Sequence, residues 1–232
     1  MTLIIRAPGR ITSPLPGSFD PPSLGVTGIF SRFLALGAAA NPGDVVTTVK
    51  DQVGTHNVST VAGVVKYEEV GGVPVISLAE PGRNRLLASP FTGLPKGRSI
   101  AVLARLAGNP TATEQLINTQ TSKAALSILS WGAISLWGDA VPFLSTAVAP
   151  GPKPGWFILV ASLGADGVGK IAVNGAITTG PNAYGDSGVD SIIEIEAPDT
   201  VGMKFVDLAI IDHAVTDAEI ASITAGLGTW LL

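Results

Sequence analysis

Two glutamates near the C-terminus have the spacing of a catalytic carboxylate pair. Glu194 and Glu196 flank Ile195 in the alternating segment SIIEIEA. Because alternate residues of a strand share one face, the two glutamates form the kind of pair that glycoside hydrolases use. Pro198 would break such a strand just before Asp199. We therefore interpret the pair as an exposed acidic face, with the isoleucines directed inward, and predict that this protein is not an enzyme and has no catalytic residues.

Nucleophilic and thiolate chemistry lacks its usual residues. The chain contains two histidines, His56 in a turn and His213 at the end of a strand, and no cysteine. No G-x-S-x-G motif is present, and neither histidine has an acid and a nucleophile at a recognisable spacing. Two histidines are too few for a histidine-rich zinc site, and the absent cysteines exclude disulfides and thiolate ligands. Both histidines are interpreted as polar turn residues.

One loop is rich in the oxygen donors that calcium prefers. Its donors are Asn182, Tyr184, Asp186, Ser187 and Asp190, and Asp139 is a further donor. Asp186 and Asp190 are therefore the weak candidates for a cation site. The loop lacks the D-x-D-x-D-G pattern, and Gly with Asp is typical of any long turn. We predict no bound metal and no cofactor.

Aromatic residues beside polar ones are the usual platform for a sugar. Trp131, Trp137 and Tyr184 are the candidates for such a site in this chain. Both tryptophans lie in apolar segments, which favours core or subunit contacts, and aromatic residues make up only 6% of the chain. The ligand-binding residues therefore stay unassigned, with these three as candidates.

The composition indicates a large covered surface. Charged residues are 14% of the 232 residues, against roughly 25% in ordinary domains, and the mean hydropathy is +0.44. A membrane span is not expected, because the longest uncharged run has 15 residues and a spanning helix needs about 20. A net charge of −4 without a basic cluster excludes nucleic acid as a partner. Self-association therefore remains as the explanation for the covered surface, and we predict a homo-oligomer, with three copies as the preferred number.

Turn and strand signals alternate along most of the chain. Continuous apolar runs such as SIAVLARL and WFILVAS predict strands covered on both faces. Asn174-Gly175 predicts a type I′ hairpin, since both residues tolerate positive φ. At the C-terminus, the run MKFVDLAII predicts a strand with Met203, Phe205 and Ile211 on one face and Val206, Leu208 and Ile210 on the other. One helix follows, predicted from a capping box at Thr216 and Glu219, apolar residues Ile220, Ile223 and Leu227, and Gly226 or Gly228 as its stop.

These motifs, in this order, resemble concanavalin A-like (laminin-G/pentraxin-type) jelly rolls, of the kind found in phage virion surface proteins. The resemblance is carried by the closing strand and helix, by Gly155-Trp156 with Val173-Asn174-Gly175, and by the turn from Asp51 to Asn57. It implies an all-β sandwich of two antiparallel sheets with one short C-terminal helix, and a core position for Trp156. Glucanases share this fold, with catalytic strands of the form E-hydrophobic-D-x-x-E. Here Glu196 and Asp199 depart from that pattern.

The predicted organisation is a Pro-rich extended arm over residues 1–29 and a jelly-roll domain over residues 30–232. The predicted function is a non-catalytic structural protein of a virus particle, either a phage head decoration or a tail appendage protein. A carbohydrate-binding lectin-type domain is the alternative, and a glucanase the third. The expected partners are further copies of the chain, the major capsid or tail protein and a surface glycan. The expected location is the virion, after synthesis in the host cytoplasm, since the apolar run before Arg6 is too short for a signal peptide.

Overall fold

The protein is described from a computed structural model. The residues that the structure describes are 21–78, 85–88, 97–106, 108, 114–119, 125–128, 133–138, 141–147, 155–181, 193–196 and 202–232. They form strands β1 (Ile29–Leu34), β2 (Thr48–Val49), β3 (Val58–Ala62), β4 (Lys66–Val70), β5 (Val73–Ser77), β6 (Arg85–Ala88), β7 (Arg98–Leu106), β8 (Glu114–Thr119), β9 (Ala125–Ile128), β10 (Ala133–Gly138), β11 (Val141–Ala147), β12 (Trp156–Leu163), β13 (Val168–Val173), β14 (Ala176–Pro181), β15 (Ile193–Glu196) and β16 (Met203–Ile211). Helix α1 (Asp217–Gly228) and a 3-10 turn (Thr229–Leu231) complete the chain.

The strands form two antiparallel sheets, which confirms the predicted all-β sandwich. The first sheet has the order β14-β13-β12-β7-β16-β5-β4, and β1 also pairs with β16. The second sheet has the order β11-β10-β9-β8-β15-β6-β3-β2. Helix α1 contacts β12 and β7 of the first sheet. The predicted short C-terminal helix is therefore present and covers the outer face of that sheet.

Two hydrophobic cores follow from this arrangement. One lies between the sheets and includes Phe33, Phe157, Phe205, Leu86 and Ile195. The other lies between the first sheet and α1 and includes Trp156, Leu103, Val206, Ile220 and Leu227. Strands β7, β12 and β16 contribute to both cores, which explains their nearly continuous apolar sequences. The predicted core position of Trp156 is confirmed.

The predicted alternation of β16 is wrong in its second half. Opposite β7, the register shifts between Phe205 and Asp207, which marks a β-bulge. Met203 and Phe205 therefore share the inter-sheet core with Leu208 and Ile210, whereas Val206, Ala209 and Ile211 pack under the helix. A bulge inserts one residue into the ladder and so exchanges the two faces of the strand.

The predicted hairpin and helix cap are both confirmed. Asn174 (φ 51°) and Gly175 (φ 84°) adopt the positive φ values of a type I′ turn between the paired residues Val173 and Ala176. At the helix start, Thr216 and Glu219 form the capping box reciprocally. The buried face of α1 carries the predicted apolar residues Ile220, Ile223 and Leu227.

Of the two predicted stops, α1 ends at Gly228 and continues through Gly226. Gly226 lies inside the helix and is buried, and Gly228 is the last helical residue, with right-handed φ and ψ values before the 3-10 turn. A Cβ atom at Gly226 would collide with the backbone oxygen of Ser23 and lie 3.1 Å from the Cα atom of Leu24. Gly226 is therefore a contact point for the preceding chain segment, where any side chain would be too large.

Residues 21–28 lie against the sandwich. Leu24 is buried in the core under α1, and the backbone oxygen of Gly28 accepts a hydrogen bond from the Asp212 N–H at 2.9 Å. Residues 1–20, which include Leu3, Ile4 and Ile5, lie outside the described residues. The division into an arm over residues 1–29 and a domain over residues 30–232 stays a prediction. Among the described residues, no helix is long and apolar enough to cross a membrane.

Candidate functional site

The fold brings a serine, a histidine and an aspartate together at the start of the sandwich. Strand β1 supplies Ser31, and the turn that follows β2 supplies Asp51 and His56. Ser31 Oγ lies 3.3 Å from His56 Nδ1, and Asp51 Oδ2 lies 3.7 Å from the same nitrogen. A catalytic triad requires the serine and the acid on opposite ring nitrogens, so that the imidazole can relay a proton between them. This arrangement therefore does not activate Ser31 as a nucleophile.

Asp51 instead holds the turn against β1. Its carboxylate accepts the backbone N–H groups of Arg32 (3.0 Å), Val53 (3.0 Å) and His56 (3.1 Å). Burial acts to raise the pKa of Asp51, but the hydrogen bonds from the backbone of Arg32, Gly54 and Val53 outweigh it and hold the pKa below its ordinary value. The charged carboxylate is thus the form that braces the turn.

The remaining residues of this turn also have structural roles. The Asn57 side-chain oxygen accepts the Asp51 N–H at 3.0 Å. At Gly54 a Cβ atom would lie 2.8 Å from the Asp51 carboxylate and 3.1 Å from the Phe30 oxygen. His56 stacks on the Phe30 ring with a centroid distance of 5.1 Å. The motif that carried the sequence resemblance is therefore a structural turn that secures β1.

The second histidine is held between two carboxylates at the start of α1. His213 Nδ1 lies 3.0 Å from Asp212 Oδ1, and His213 Nε2 lies 3.0 Å from Glu219 Oε1. The hydrogen bond with Asp212 raises the pKa of His213 above its ordinary value. Partial burial opposes this rise, and Glu219 adds to it. With both ring nitrogens bound, His213 links the end of β16 to the first helical turn.

Glu219 completes this link because it is also the capping residue. Its Oε2 atom accepts the backbone N–H and the hydroxyl of Thr216, each at 2.8 Å. The backbone hydrogen bond from Thr216 lowers the pKa of Glu219, and the hydrogen bond with His213 lowers it further. The carboxylate, the cap and the imidazole therefore stabilise one another within the fold.

Glu194 does not lie on the exposed face predicted from the sequence. In β15, Glu194 is 5% exposed and Ile195 is fully buried. Ile195 faces the core between the sheets, so Glu194 belongs to the opposite face of the second sheet, which is covered at this point. The prediction failed because alternation fixes which face a residue takes and says nothing of what packs over that face.

The backbone register places one candidate aromatic residue on the same face as Glu194. Glu194 stands opposite Asn118, Asn118 opposite Ala125, and Ala125 opposite Trp137. Residues opposite one another in antiparallel strands share a face. The outer face of the second sheet thus carries a row formed by Glu194, Asn118, Ala125 and Trp137, which we call the outer row.

Ser135 lies next to the outer row, two residues from Trp137 in β10. It is fully buried, and its hydroxyl has no hydrogen-bond partner among the described residues. A buried hydroxyl without a partner is uncommon and disfavoured. Ser135 could not be identified from the sequence, because serine is ordinary in a strand that has one polar face.

The other candidate ligands lie outside the described residues. These are Trp131, Tyr184, Asp186 and Asp190, together with Asp139, Asn182 and Ser187. Their assignment stays a prediction. Among the residues that the structure does describe, no group of three or more His, Cys, Asp or Glu side chains could hold a metal ion.

One buried charged cluster was not expected from the sequence. Asp207 is fully buried and accepts hydrogen bonds from Arg32 Nε (3.0 Å), Arg32 Nη2 (2.5 Å) and Trp230 Nε1 (3.0 Å). Arg32 Nη2 also donates to the Pro22 oxygen at 2.9 Å. The cluster ties together β1, β16, the 3-10 turn and the segment before β1. Its only signal in the sequence was a single aspartate within the apolar run MKFVDLAII.

Comparison with known proteins shows the fold alone. No protein-family profile and no curated protein sequence matches the chain. Among solved structures, the chain is similar to the ligand-binding domain of botulinum neurotoxin serotype D in complex with N-acetylneuraminic acid. That match has 13% identity and a TM-score of 0.68, and covers 86% of this chain and 51% of the other.

Two related structures give the same picture. The binding domain of botulinum neurotoxin DC in complex with SialylT has 15% identity and a TM-score of 0.66, and covers 88% of this chain and 52% of the other. A third structure is of botulinum neurotoxin type C, a toxin whose cell entry depends on interaction with two ganglioside molecules. It has 18% identity and a TM-score of 0.62, and the match covers 85% of this chain and 51% of the other. The chain thus spans about half the length of these solved chains. The likeness supports the lectin-like β-sandwich predicted from the sequence.

Proposed function

We propose that this protein is a non-catalytic binding protein on a lectin-like sandwich, and that it serves as a surface component of a virus particle, as a head decoration or a tail appendage. The proposal that the protein is non-catalytic rests on the burial and the contacts of its candidate catalytic residues. Glu194 is buried, His213 is bound through both ring nitrogens, and His56 meets Ser31 and Asp51 through one nitrogen. Among the described side chains, these candidate acids and bases are thus buried or engaged in contacts within the fold.

The binding role is supported by the fold. The solved structures similar to this chain include botulinum neurotoxin binding domains in complex with N-acetylneuraminic acid, with SialylT and with rat synaptotagmin II. A lectin-type domain that binds a surface glycan is therefore the second candidate function.

The virus-particle role is supported by composition. Charged residues make up 14% of the chain, and its mean hydropathy is +0.44. Such a chain favours contact with other protein surfaces over complete exposure to water. Residues 1–20 include Pro8, Pro14 and Pro16, and such a sequence suits a segment that becomes ordered on a neighbouring subunit, since proline reduces the entropy lost in that step.

Mass spectrometry of purified virus particles from the source culture tests the particle role. We expect the protein in the particle at a fixed ratio to the major capsid or tail protein. If it is absent from particles and binds a glycan on an array, the lectin-type domain is the correct alternative. Cleavage of a β-glucan that is lost when Glu194→Gln and Glu196→Gln are combined would overturn the non-catalytic proposal.

A further inference from the structure

The edges of the two sheets differ in how they are protected. In the first sheet, edge strand β4 carries Lys66, Glu68 and Glu69. The chain before it also bonds to its outer side, where Val45 forms a β-bridge with Lys66 and the Gly43 N–H donates to the Tyr67 oxygen at 2.7 Å. In the second sheet, edge strand β2 is only two residues long. Charges and short edge strands both prevent a sheet from pairing with another chain. The side of the sandwich formed by β4 and β2 is therefore protected against edge-to-edge association.

Strand β1 is also protected, although by a different means. It pairs with β16 on one side, and the turn at Asp51 covers its other side. Phe33 forms a β-bridge with Asp51, and the Gln52 N–H donates to the Arg32 oxygen at 2.8 Å. Its backbone is thus already engaged within the chain.

The described residues show no such protection on the opposite side of the sandwich. That side is formed by edge strands β14 and β11, which lie alongside one another and contain no charged residue, and we call it the uncharged flank. Ala176, Ile177, Thr179 and Pro181 of β14 are exposed. Ile177, a large apolar residue, is 37% exposed. An exposed uncharged edge strand is the surface on which another strand can add.

The register of the hairpin shows which backbone groups of β14 are free. Val173 and Ala176 flank a two-residue turn, so they form a hydrogen-bonded pair, and the bonded pairs then alternate along the strands. The Asn174 N–H donates to the Ile158 oxygen on β12, in agreement with this alternation of bonded pairs. Ala176, Thr178 and Gly180 therefore bond to β13. Ile177 and Thr179 direct their N–H and C=O groups away from β13, where no described residue bonds to them.

We propose that two copies of this chain associate through β14, antiparallel about a two-fold axis at Thr178, so that their first sheets join into one. In this register Ile177 of each copy stands opposite Thr179 of the other, and each pair exchanges two backbone hydrogen bonds. The arrangement is isologous, as two-fold contacts require. It also places β-branched residues opposite one another, which favours strand pairing.

A second copy suits this edge because the backbone hydrogen-bonding pattern of β14 is complementary to itself in that register. Each chain has a net charge of −4, which opposes association of two copies through charged surfaces. Strands β14 and β11 contribute no charge to this repulsion. If the chain forms this dimer, the trimer expected from the sequence would require a second interface. The proposed dimer does not depend on whether the protein binds a glycan or belongs to a virus particle.

Analytical ultracentrifugation of the full chain with Ile177→Lys tests the proposal. We expect a dimer for the unchanged protein and a monomer–dimer dissociation constant raised by about 100-fold in the variant, because a lysine charge would be buried where the strands meet. The matched control is Val61→Lys, since Val61 is 53% exposed on β3, on the protected side of the second sheet. Circular dichroism checks that both variants remain folded.

A second variant tests the register itself and does not depend on the first. The chain contains no cysteine, so Thr178→Cys introduces a single thiol. Two Thr178 positions across the axis form a non-hydrogen-bonded pair with Cα atoms about 4.5 Å apart, within the range of a disulfide. We expect mild oxidation to link Thr178→Cys into a covalent dimer and to leave the control Val61→Cys monomeric in denaturing gels. The proposal would be overturned if the unchanged protein stayed monomeric at about 0.1 mM, a concentration about 100 times a micromolar dissociation constant. It would also be overturned if the protein were a dimer in which the Thr178→Cys thiols did not form a disulfide.

Discussion

Arg32 and Asp207 form a doubly hydrogen-bonded ion pair in the interior, although 175 positions separate them in the chain. Both side chains are almost completely buried, and Trp230 donates the third hydrogen bond to the carboxylate. The pair sits next to the bulge that exchanges the two faces of β16. A bulged strand and a buried charge therefore occur at the same point, and the arginine from β1 neutralises that charge.

Asp207→Ala should destabilise the protein strongly. The change leaves the Arg32 guanidinium buried without its counter-ion, and the loss of one partner from a buried pair typically costs about 3–5 kcal/mol. Urea denaturation followed by circular dichroism measures the free energy of unfolding. The control is Asp217→Asn, which removes an ion pair with Lys170 whose aspartate side chain is 69% exposed. A similar loss in both variants would contradict the structural role of the buried pair.

The link at His213 should make stability depend on pH. The pKa of His213 is raised in the folded protein, so its contribution is fully present below the ordinary value of 6.5 and is lost as the pH rises through the raised pKa. Glu219 has a lowered pKa, so its contribution is present above 4.5 and is lost only in more acidic solution. The link is therefore complete in mildly acidic solution.

His213→Asn tests this dependence. The free energy of unfolding should differ most from that of the unchanged protein below pH 6.5, and the difference should shrink as the pH rises through the raised pKa of His213. Asp217→Asn, in the same helical turn, is the control and should show a difference that stays nearly constant over this range. If the difference in the free energy of unfolding between His213→Asn and the unchanged protein grew as the pH rises, protonation of His213 would not stabilise the folded protein and the prediction would be wrong.

Thr216→Ala should lower the free energy of unfolding by about 1 kcal/mol, because it removes the side chain that caps α1. In the structure, Thr216 Oγ1 accepts the Glu219 N–H at 3.2 Å. Thr216→Ser keeps the hydroxyl and is the matched control, expected to lie within a few tenths of a kcal/mol of the unchanged protein. Equal melting temperatures for the alanine and serine variants would mean that the cap contributes little.

Local signals in the sequence predicted local structure well. The Asn174-Gly175 turn and the Thr216 cap are fixed by the φ preferences and hydrogen bonds of neighbouring residues, so a few letters suffice to identify them. The order of such motifs was also enough to predict a lectin-like sandwich. The turn from Asp51 to Asn57 was found in the same way, and its structural role follows from contacts with β1.

Features that depend on distant contacts could not be read in this way. The bulge in β16 arises from pairing with β7, and the burial of Glu194 depends on what packs over its sheet face. Neither is encoded in the alternation of the strand itself. Asp207 was visible as a charge in an apolar run, but its partner Arg32 lies at the other end of the chain. The same limit explains why Gly226 was taken for a helix stop.

Gly226→Ala provides the sharpest test of the contact between α1 and the segment before β1. In an isolated helix this change is favourable by about 1 kcal/mol, so helix propensity alone predicts a more stable protein. In this fold the new methyl group would collide with the Ser23 oxygen and press on the Leu24 Cα atom at 3.1 Å. Backbone atoms move less readily than the end of a side chain, so we expect a net loss of about 1–3 kcal/mol.

The matched control for this change is Gly228→Ala, two residues along the same helix. There a Cβ atom would meet only the Ile158 Cδ1 atom at 3.9 Å, which is an ordinary contact. Its φ of −61° suits alanine, so helix propensity should act unopposed and the variant should be equal to or more stable than the unchanged protein. Thermal unfolding of the two variants side by side measures the difference. If Gly226→Ala is stabilised as much as Gly228→Ala, residues 23 and 24 do not pack on the helix in solution, and the segment before β1 is free of the sandwich.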